Sequence, residues 1–418
     1  MDARDNRKAP YIVRPSTAIL TRGFDPKFSV GSARPAVFRS STYVFVSPEA
    51  AERAFDVALG RTHLAEGESG DLIYARLSHP NAQILEDQIV PLEPGAGAAA
   101  VFNSGMAAIS TVFFTFCSPG ASFVYTTPLY GGTQHLIHQI LEPLGMNGIP
   151  VPAGDAPALA AAIKAADRLA LVLIETPANP TLRMSDIAAA CAAAAKRVDR
   201  PLVAVDNTFL GPTFQHPISL GADLAIYSAT KYLSGFSDML GGVVLARDLD
   251  LVTRLRGTRA LLGNILQPDE CWLLDGRLPT VTLRMNRQSK NAERIVNAIK
   301  DHPAVERMHY PSLFTDREQI RIRDAQARFP GGIFSIQLHG GKRAAFEFLR
   351  RLTIGRDAVS LGGVETLACH PATTTHSELS AAEKESAGIT DGLVRVSVGI
   401  EDWRDVLADL RTSLDLLL

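Results

Sequence analysis

Short apolar runs alternate with helix-length stretches through the middle of the chain. Ala98–Phe102, Ser122–Tyr125, Leu169–Ile174, Leu202–Val205, Leu224–Tyr227 and Gly242–Leu245 are almost uninterrupted, the pattern of strands buried on both faces. Between them, stretches at about 105–116, 132–142, 156–167 and 185–197 predict helices. The Ala-rich segment 188–195 favours helix by propensity. This alternation predicts an α/β fold with a mostly parallel central sheet flanked by helices. Ligands on such sheets sit at the carboxyl ends of strands.

The flanks read differently. Residues 1–73 are rich in Pro, Arg, Ser and Thr and predict an N-terminal arm, with a polar, Gly-studded loop at Gly60–Asp71. The α/β pattern occupies 74–279. From 280 to 418 a smaller α+β domain is predicted: Asn291–Lys300 and Lys342–Leu352 as helices, Gly332–Leu338 as a strand, Leu393–Gly399 alternating, and an amphipathic helix from Asp402.

Composition narrows the class. A chain of 418 residues with 46% hydrophobic and 21% charged content has the make-up of a soluble globular protein. A net charge of −2 gives no reason to expect nucleic acid or an anionic membrane as partner. The polar start Met1–Lys8 lacks a signal-peptide pattern, and no apolar run approaches a membrane span. Cys117, Cys191, Cys271 and Cys369 are widely separated, which predicts free thiols in a reducing cytoplasm.

The candidate chemistry lies at predicted strand ends. Val203-Ala-Val-Asp206 ends in a carboxylate, and Leu224-Ala-Ile-Tyr-Ser-Ala-Thr-Lys231 ends in hydroxyls and a lysine. Such a lysine suits a Schiff base, and such an aspartate suits a cationic ring nitrogen, a pair that points to pyridoxal 5'-phosphate (PLP). Asn103-Ser-Gly-Met-Ala-Ala108 follows a strand and opens a helix; Gly105 is either a phosphate cradle or a plain tight turn. Ser228 and Thr230 can add hydroxyl donors, and Tyr74 and Arg76 a phenol and a guanidinium fork; taken alone, Arg76 reads as a surface residue. Tyr130 reads as a ring-stacking group or a core tyrosine. Arg395, inside an otherwise apolar strand, reads as a receptor for a substrate carboxylate or one half of a structural ion pair. His370 and His376 are too isolated to form a metal site, and none is expected.

With these residues in place the chain resembles the Cys/Met-metabolism family of PLP enzymes: cystathionine γ-synthase, cystathionine lyases, methionine γ-lyase and the homoserine sulfhydrylases. The resemblance runs from about Thr21 to the C-terminus. It rests on Ser104-Gly-Met-Ala-Ala, Leu129-Tyr-Gly-Gly-Thr, Glu175-Thr-Pro-Ala-Asn-Pro-Thr, Val205-Asp-Asn-Thr, Tyr227-Ser-Ala-Thr-Lys-Tyr-Leu-Ser-Gly, Ser360-Leu-Gly-Gly, His370-Pro-Ala-Thr-Thr-Thr-His and Val394-Arg-Val-Ser-Val-Gly-Ile-Glu. It implies a fold type I, aspartate aminotransferase-like enzyme, usually a tetramer of active dimers. Lys231 would hold PLP and move the Cα proton, and Asp206 would keep the ring nitrogen protonated. The amides of Gly105 and Met106, with Ser228 and Thr230, would hold the phosphate, and Tyr74 and Arg76 would reach it from a neighbouring subunit. Tyr130 would stack on the ring. Arg395 and Ser360 would take the substrate carboxylate, with Asn179 beside it.

The chain departs from the family pattern at several points. Tyr74-Ala-Arg-Leu-Ser-His-Pro-Asn81 replaces the usual Tyr-x-Arg-x-x-Asn-Pro-Thr, Gly235-Phe-Ser-Asp238 replaces Gly-His-Ser-Asp, and the loop before Tyr74 is longer. Gly132 stands where methionine γ-lyases commonly carry cysteine. Val359 stands where cystathionine-handling enzymes often carry glutamate, which favours a short apolar γ-substituent. The expected activity is γ-elimination on a sulfur amino acid such as methionine or cystathionine, giving a 2-oxo acid, ammonia and a thiol. Its alternative is γ-replacement on an O-acyl-homoserine. Transamination and a non-catalytic PLP-fold protein are the lesser rivals.

Overall fold

A computed structural model of the protein describes residues 13–58, 60–63, 65 and 70–418. The polar start Met1–Lys8 and part of the predicted loop Gly60–Asp71 lie outside the described residues. Seven strands build the first sheet: β1 (Ala98–Phe102), β2 (Ser122–Thr127), β3 (Asn147–Pro152), β4 (Leu169–Glu175), β5 (Leu202–Asp206), β6 (Leu224–Ser228) and β7 (Gly242–Ala246). Their order is β1-β7-β6-β5-β4-β2-β3. The pairs from β6 through β5, β4 and β2 to β3 are parallel, whereas β7 runs antiparallel to both β1 and β6. Every strand except β7 therefore points the same way, and their carboxyl ends share one edge.

All six predicted strands of this region are present. β1 and β7 are buried along their whole length, and β2, β4 and β6 at all but one position, as uninterrupted apolar runs require. The seventh strand, β3, was not expected. Its sequence Asn-Gly-Ile-Pro-Val-Pro is mostly exposed and carries two prolines. Proline cannot donate to a ladder, so such a strand is confined to a sheet edge, where β3 lies.

Helices cover both faces and begin on side-chain caps. Ser104 Oγ accepts from Ala107 N at 3.0 Å, Asp155 Oδ1 from Ala158 N at 2.9 Å, and Asp186 Oδ1 from Ala189 N at 2.8 Å. Phe113, Val112 and Leu255 pack on one face with Phe123 and Leu171, while Leu159, Ile163 and Ala190 pack on the other with Val172 and Val203. The predicted helix at 132–142 is a helix over Gly131–Leu136 that continues as a π turn over Ile137–Leu141. The arm contains the helices Pro15–Thr21 and Pro48–Ala58.

A smaller second sheet follows, built of β8 (Val305–His309), β9 (Ile333–Leu338), β10 (Arg356–Asp357), β11 (Leu367–Cys369) and β12 (Leu393–Ser397) in the order β10-β11-β12-β9-β8. Helices Val281–Ile299, Gly341–Arg351 and Trp403–Asp415 bury Ile295, Phe348 and Leu410 against it. β12 lies between β11 and β9, which sets Arg395 opposite Cys369 and Ser335.

Candidate active site

The shared edge of the first sheet gathers the chemistry. Ser104 and Gly105 follow β1, Tyr130 follows β2, Glu175 ends β4, Asp206 ends β5, and Lys231 lies three residues past β6. Arg395 arrives from the second sheet. All of them line one cavity of about 300 Å³, together with Met106, Asn179, Ser228, Thr230 and Val359.

Lys231 Nζ donates to Ser360 Oγ at 3.1 Å. Burial lowers its pKa from 10.5 to about 8, with the positive charge of Arg395 adding to the effect. The amine is thus prepared to carry and release a proton near neutral pH. Asp206 lines the same cavity. Burial raises its pKa, and bonds to Oδ1 from Thr208 N (3.0 Å) and Thr208 Oγ1 (2.6 Å) oppose the rise. A cation beside this carboxylate would favour its charged form.

Gly105 opens the helix Gly105–Phe116 directly against the lysine loop. A Cβ there would stand 2.9 Å from both Cβ and Oγ of Ser228, so no other residue fits without displacing the loop. The free N–H groups of the helix start and the hydroxyls of Ser228 and Thr230 line the same cavity. Thr230 is fixed in turn: its Oγ1 accepts from Gly241 N at 3.0 Å. An anion cradle, a buried carboxylate and a buried low-pKa lysine fit PLP, which has a phosphate, a basic ring nitrogen and an aldehyde.

Arg395 is buried, with a relative exposure of 2%. Nη1 donates to Asn179 Oδ1 at 3.1 Å, and Nη2 to the carbonyls of Val359 (2.7 Å) and Ser360 (3.2 Å). Nε is buried without a partner. Among the described residues no ion pair holds Arg395; its bonds go to neutral oxygens. The Ser360 hydroxyl meets Lys231, and its carbonyl braces Arg395.

Tyr130 is 43% exposed, so it is not a core tyrosine. Gly132 lies beneath it: a Cβ there would meet the Tyr130 ring at 2.7 Å and Met106 Sδ at 3.2 Å. Tyr74 and Arg76 do not line the cavity. Both are exposed; Arg76 stacks 5.8 Å from the Tyr74 ring, and its Nη1 donates to Ala260 O at 2.7 Å. Residue-by-residue reading missed Glu175 and Thr208 as site groups. Glu175 pairs in register with Asp206, a juxtaposition visible only once β4 and β5 are known to be neighbours.

Fold and cavity together define a PLP-dependent enzyme of fold type I. The Cys/Met metabolism PLP-dependent enzyme model matches residues 16–415, and the chain belongs to that family. It is 38% identical over 400 residues to an L-methionine gamma-lyase of Pseudomonas deceptionensis, with 96% of each chain covered. It is 36% identical over 398 residues to the cystathionine gamma-synthase of Escherichia coli (strain K12), covering 95% of this chain and 97% of that one. The crystal structure of cystathionine gamma synthase from Xanthomonas oryzae pv. oryzae in complex with cystathionine aligns with a TM-score of 0.87 at 33% identity, covering 97% and 99% of the two chains.

Proposed function

We propose that this enzyme carries out γ-elimination on a sulfur amino acid such as methionine or cystathionine. Water is consumed, and a 2-oxo acid, ammonia and a thiol leave. The observation that carries the reading is Arg395, a buried cation with an unpartnered Nε, in one cavity with a low-pKa lysine. A substrate α-carboxylate at Arg395 turns the Cα–H toward Lys231. When bound, PLP supplies the electron sink that lets protons at Cα and Cβ be lost. Asp206 would hold the ring nitrogen protonated, and Gly105, Met106, Ser228 and Thr230 would hold the phosphate. Lys231 Nζ takes the Cα proton; Ser360 Oγ aims that amine. Tyr130 covers the ring and offers its hydroxyl for proton transfer to the leaving sulfur. Val359, 55% exposed at the rim, contacts the distal substituent and favours a short apolar one.

The second reading is γ-replacement on an O-acyl-homoserine, supported by the likeness to cystathionine gamma-synthases. It uses the same groups and differs in whether a thiol or water completes the reaction. Assay of the purified protein with methionine, cystathionine and O-acyl-homoserines, each with and without sulfide, separates the two. Release of 2-oxo acid from methionine without sulfide supports elimination. Turnover confined to O-acyl-homoserine plus a thiol overturns it.

We further propose a homotetramer made of active dimers, in a reducing cytoplasm; the four cysteines are free thiols. The phosphate cradle within one chain holds only neutral donors. Arg76 of a second copy would bring the missing cation, and Tyr74 a hydroxyl.

A further inference from the structure

Among the described residues three glutamates are buried, and they differ in what holds them. Glu86 is neutralised by Arg259 Nη1 at 2.6 Å and Arg256 Nη2 at 2.7 Å. Glu93 meets the Tyr227 hydroxyl and accepts from Ile218 N at 3.0 Å. Neither lines the cavity. Glu175 does, and no ion pair holds it. Its Oε2 accepts from Tyr130 N at 2.7 Å and its Oε1 from Asn179 N at 3.3 Å. Its own N donates to Thr126 Oγ1 at 3.0 Å, which fixes the end of β4 to β2.

Both ends of this carboxylate stop on cavity residues. One N–H belongs to the residue whose ring stands over the site. The other belongs to Asn179, whose Oδ1 accepts from Arg395 Nη1 at 3.1 Å. The adjoining Pro180 O accepts from Ser335 Oγ at 2.7 Å, and Ser335 lies opposite Arg395 in the second sheet. A continuous path thus runs from β4 through Glu175 and Asn179 to the guanidinium.

We propose that Glu175 is a positioning residue: its carboxylate spans the Tyr130 and Asn179 loops, and through Asn179 it sets the orientation of Arg395 toward the amino acid carboxylate. This rests on the amino acid reading given above. Burial and the neighbouring Asp206 push the pKa of Glu175 up to about 8, and the two backbone N–H bonds oppose the rise. Both partners of Glu175 are N–H donors, so the group accepts at both oxygens. An amide of the same shape sets an NH2 against one of the two donors.

The test uses the PLP-loaded protein and norleucine, the all-carbon counterpart of methionine, which carries no γ-leaving group. Binding is followed by the change in visible absorbance on titration. Glu175→Gln should keep its PLP and a melting temperature close to wild type, yet bind norleucine at least about tenfold more weakly, within the roughly hundredfold that an ångström of misplacement can cost. Where Glu175→Gln yields no folded protein, Glu175→Asp takes its place, since its carboxylate stops one methylene short of both loops. In an Arg395→Lys background, which keeps a cation but loses the fork, the same change at Glu175 should alter binding less than about twofold. Wild-type affinity in Glu175→Gln overturns the proposal. So does a full effect that persists beside Arg395→Lys, which would mean Glu175 acts on something other than the arginine. A wild-type protein that binds no amino acid overturns the underlying functional reading, and the inference with it.

Discussion

The cavity and the arm segment Tyr74–Arg76 are built in opposite ways. In the cavity every charged group is fixed by protein: Arg395 by three oxygens, Asp206 by Thr208, Lys231 by Ser360. Tyr74 and Arg76 are exposed, held by a bridge between Thr42 and Tyr74, by backbone bonds of the turn that follows Tyr74, by the Arg76 bond to one carbonyl and by their mutual stacking. The cavity has a complete set of groups for proton transfer and carboxylate binding. Among the described residues, the cations that line the cavity are Lys231 and Arg395, whose tasks lie away from the phosphate cradle. On the dimer proposed above, one chain supplies the groups for proton transfer and carboxylate binding, and the arm of a second copy completes the cradle for the cofactor's anionic end.

Breaking either side should cost most. Lys231→Ala should lose turnover by several orders of magnitude, since it removes the group that holds the cofactor and moves the proton. In the wild type, borohydride should fix PLP to Lys231; mass spectrometry of the digest checks the site, and label on another lysine would overturn it. Arg76→Ala should also be nearly inactive. Mixing the two inactive proteins tests whether the arm serves a neighbour. One site of each mixed dimer then carries both lesions and the other neither, so random exchange should restore about a quarter of wild-type activity in a two-fold dimer. Demonstrated exchange without recovery would place Arg76 in its own subunit's chemistry or outside it.

Asp206→Asn probes the interior side alone. An amide cannot hold the ring proton, and turnover should fall about a hundredfold, in line with loss of a strong electrostatic contribution. PLP content should stay close to one per chain. Near-normal turnover would make Asp206 a structural cap of the Thr208 turn.

A smaller effect concerns pH. Burial holds Lys231 at about 8, against 10.5 in an unfolded chain. Between those values the unfolded state binds more protons than the folded state, so stability rises with pH across the window. Below about 8 both states are protonated and the burial penalty stands in full, on the order of 3 kcal/mol. The cofactor-free protein should therefore gain stability from pH 8 to pH 10 relative to Lys231→Met, and Lys231→Met should be the more stable at pH 7. Paired urea titrations of the two proteins at both pH values check this. Parallel changes with pH in the two proteins would show the amine to be solvated.

The two regions also differ in how far the sequence exposes them. The strands of the first sheet are legible because full burial leaves them no polar positions, and Arg395 because a charge in such a run must be answered. The reversal of β7 is not legible, since an apolar run looks the same in either direction. β3 hides because two prolines and an exposed face erase the pattern. Glu175 is visible only as part of a motif; its task depends on β4 lying beside β5 and on two backbone N–H groups. The place proposed for Tyr74 and Arg76, in a neighbouring copy, cannot be read from one chain. Their side-chain chemistry suits a phosphate, but only likeness to a family suggests that they act across subunits.

The smallest expected effect lies at the rim, where cavity and solvent meet. Val359 is 55% exposed, so its replacement by glutamate buries no charge and should leave folding and PLP binding unchanged. Its carbonyl, which accepts from Arg395 Nη2 at 2.7 Å, belongs to the backbone and survives the change. The new carboxylate can meet the distal ammonium of cystathionine but has nothing to offer a thioether methyl. An exposed ion pair contributes only about 0.5–1 kcal/mol, so the ratio of kcat/KM for cystathionine over methionine should rise by roughly two- to fivefold in Val359→Glu. Added salt should shrink the gain, since such pairs are screened. A change of a hundredfold would mean that the rim is closed by a partner chain and that position 359 is buried in the working enzyme. No change would set the distal end of the substrate elsewhere, toward Tyr130 and Gly132. There a side chain in place of Gly132 must push the Tyr130 ring, 2.7 Å from the Cβ position, and Gly132→Cys becomes the variant that moves the ratio.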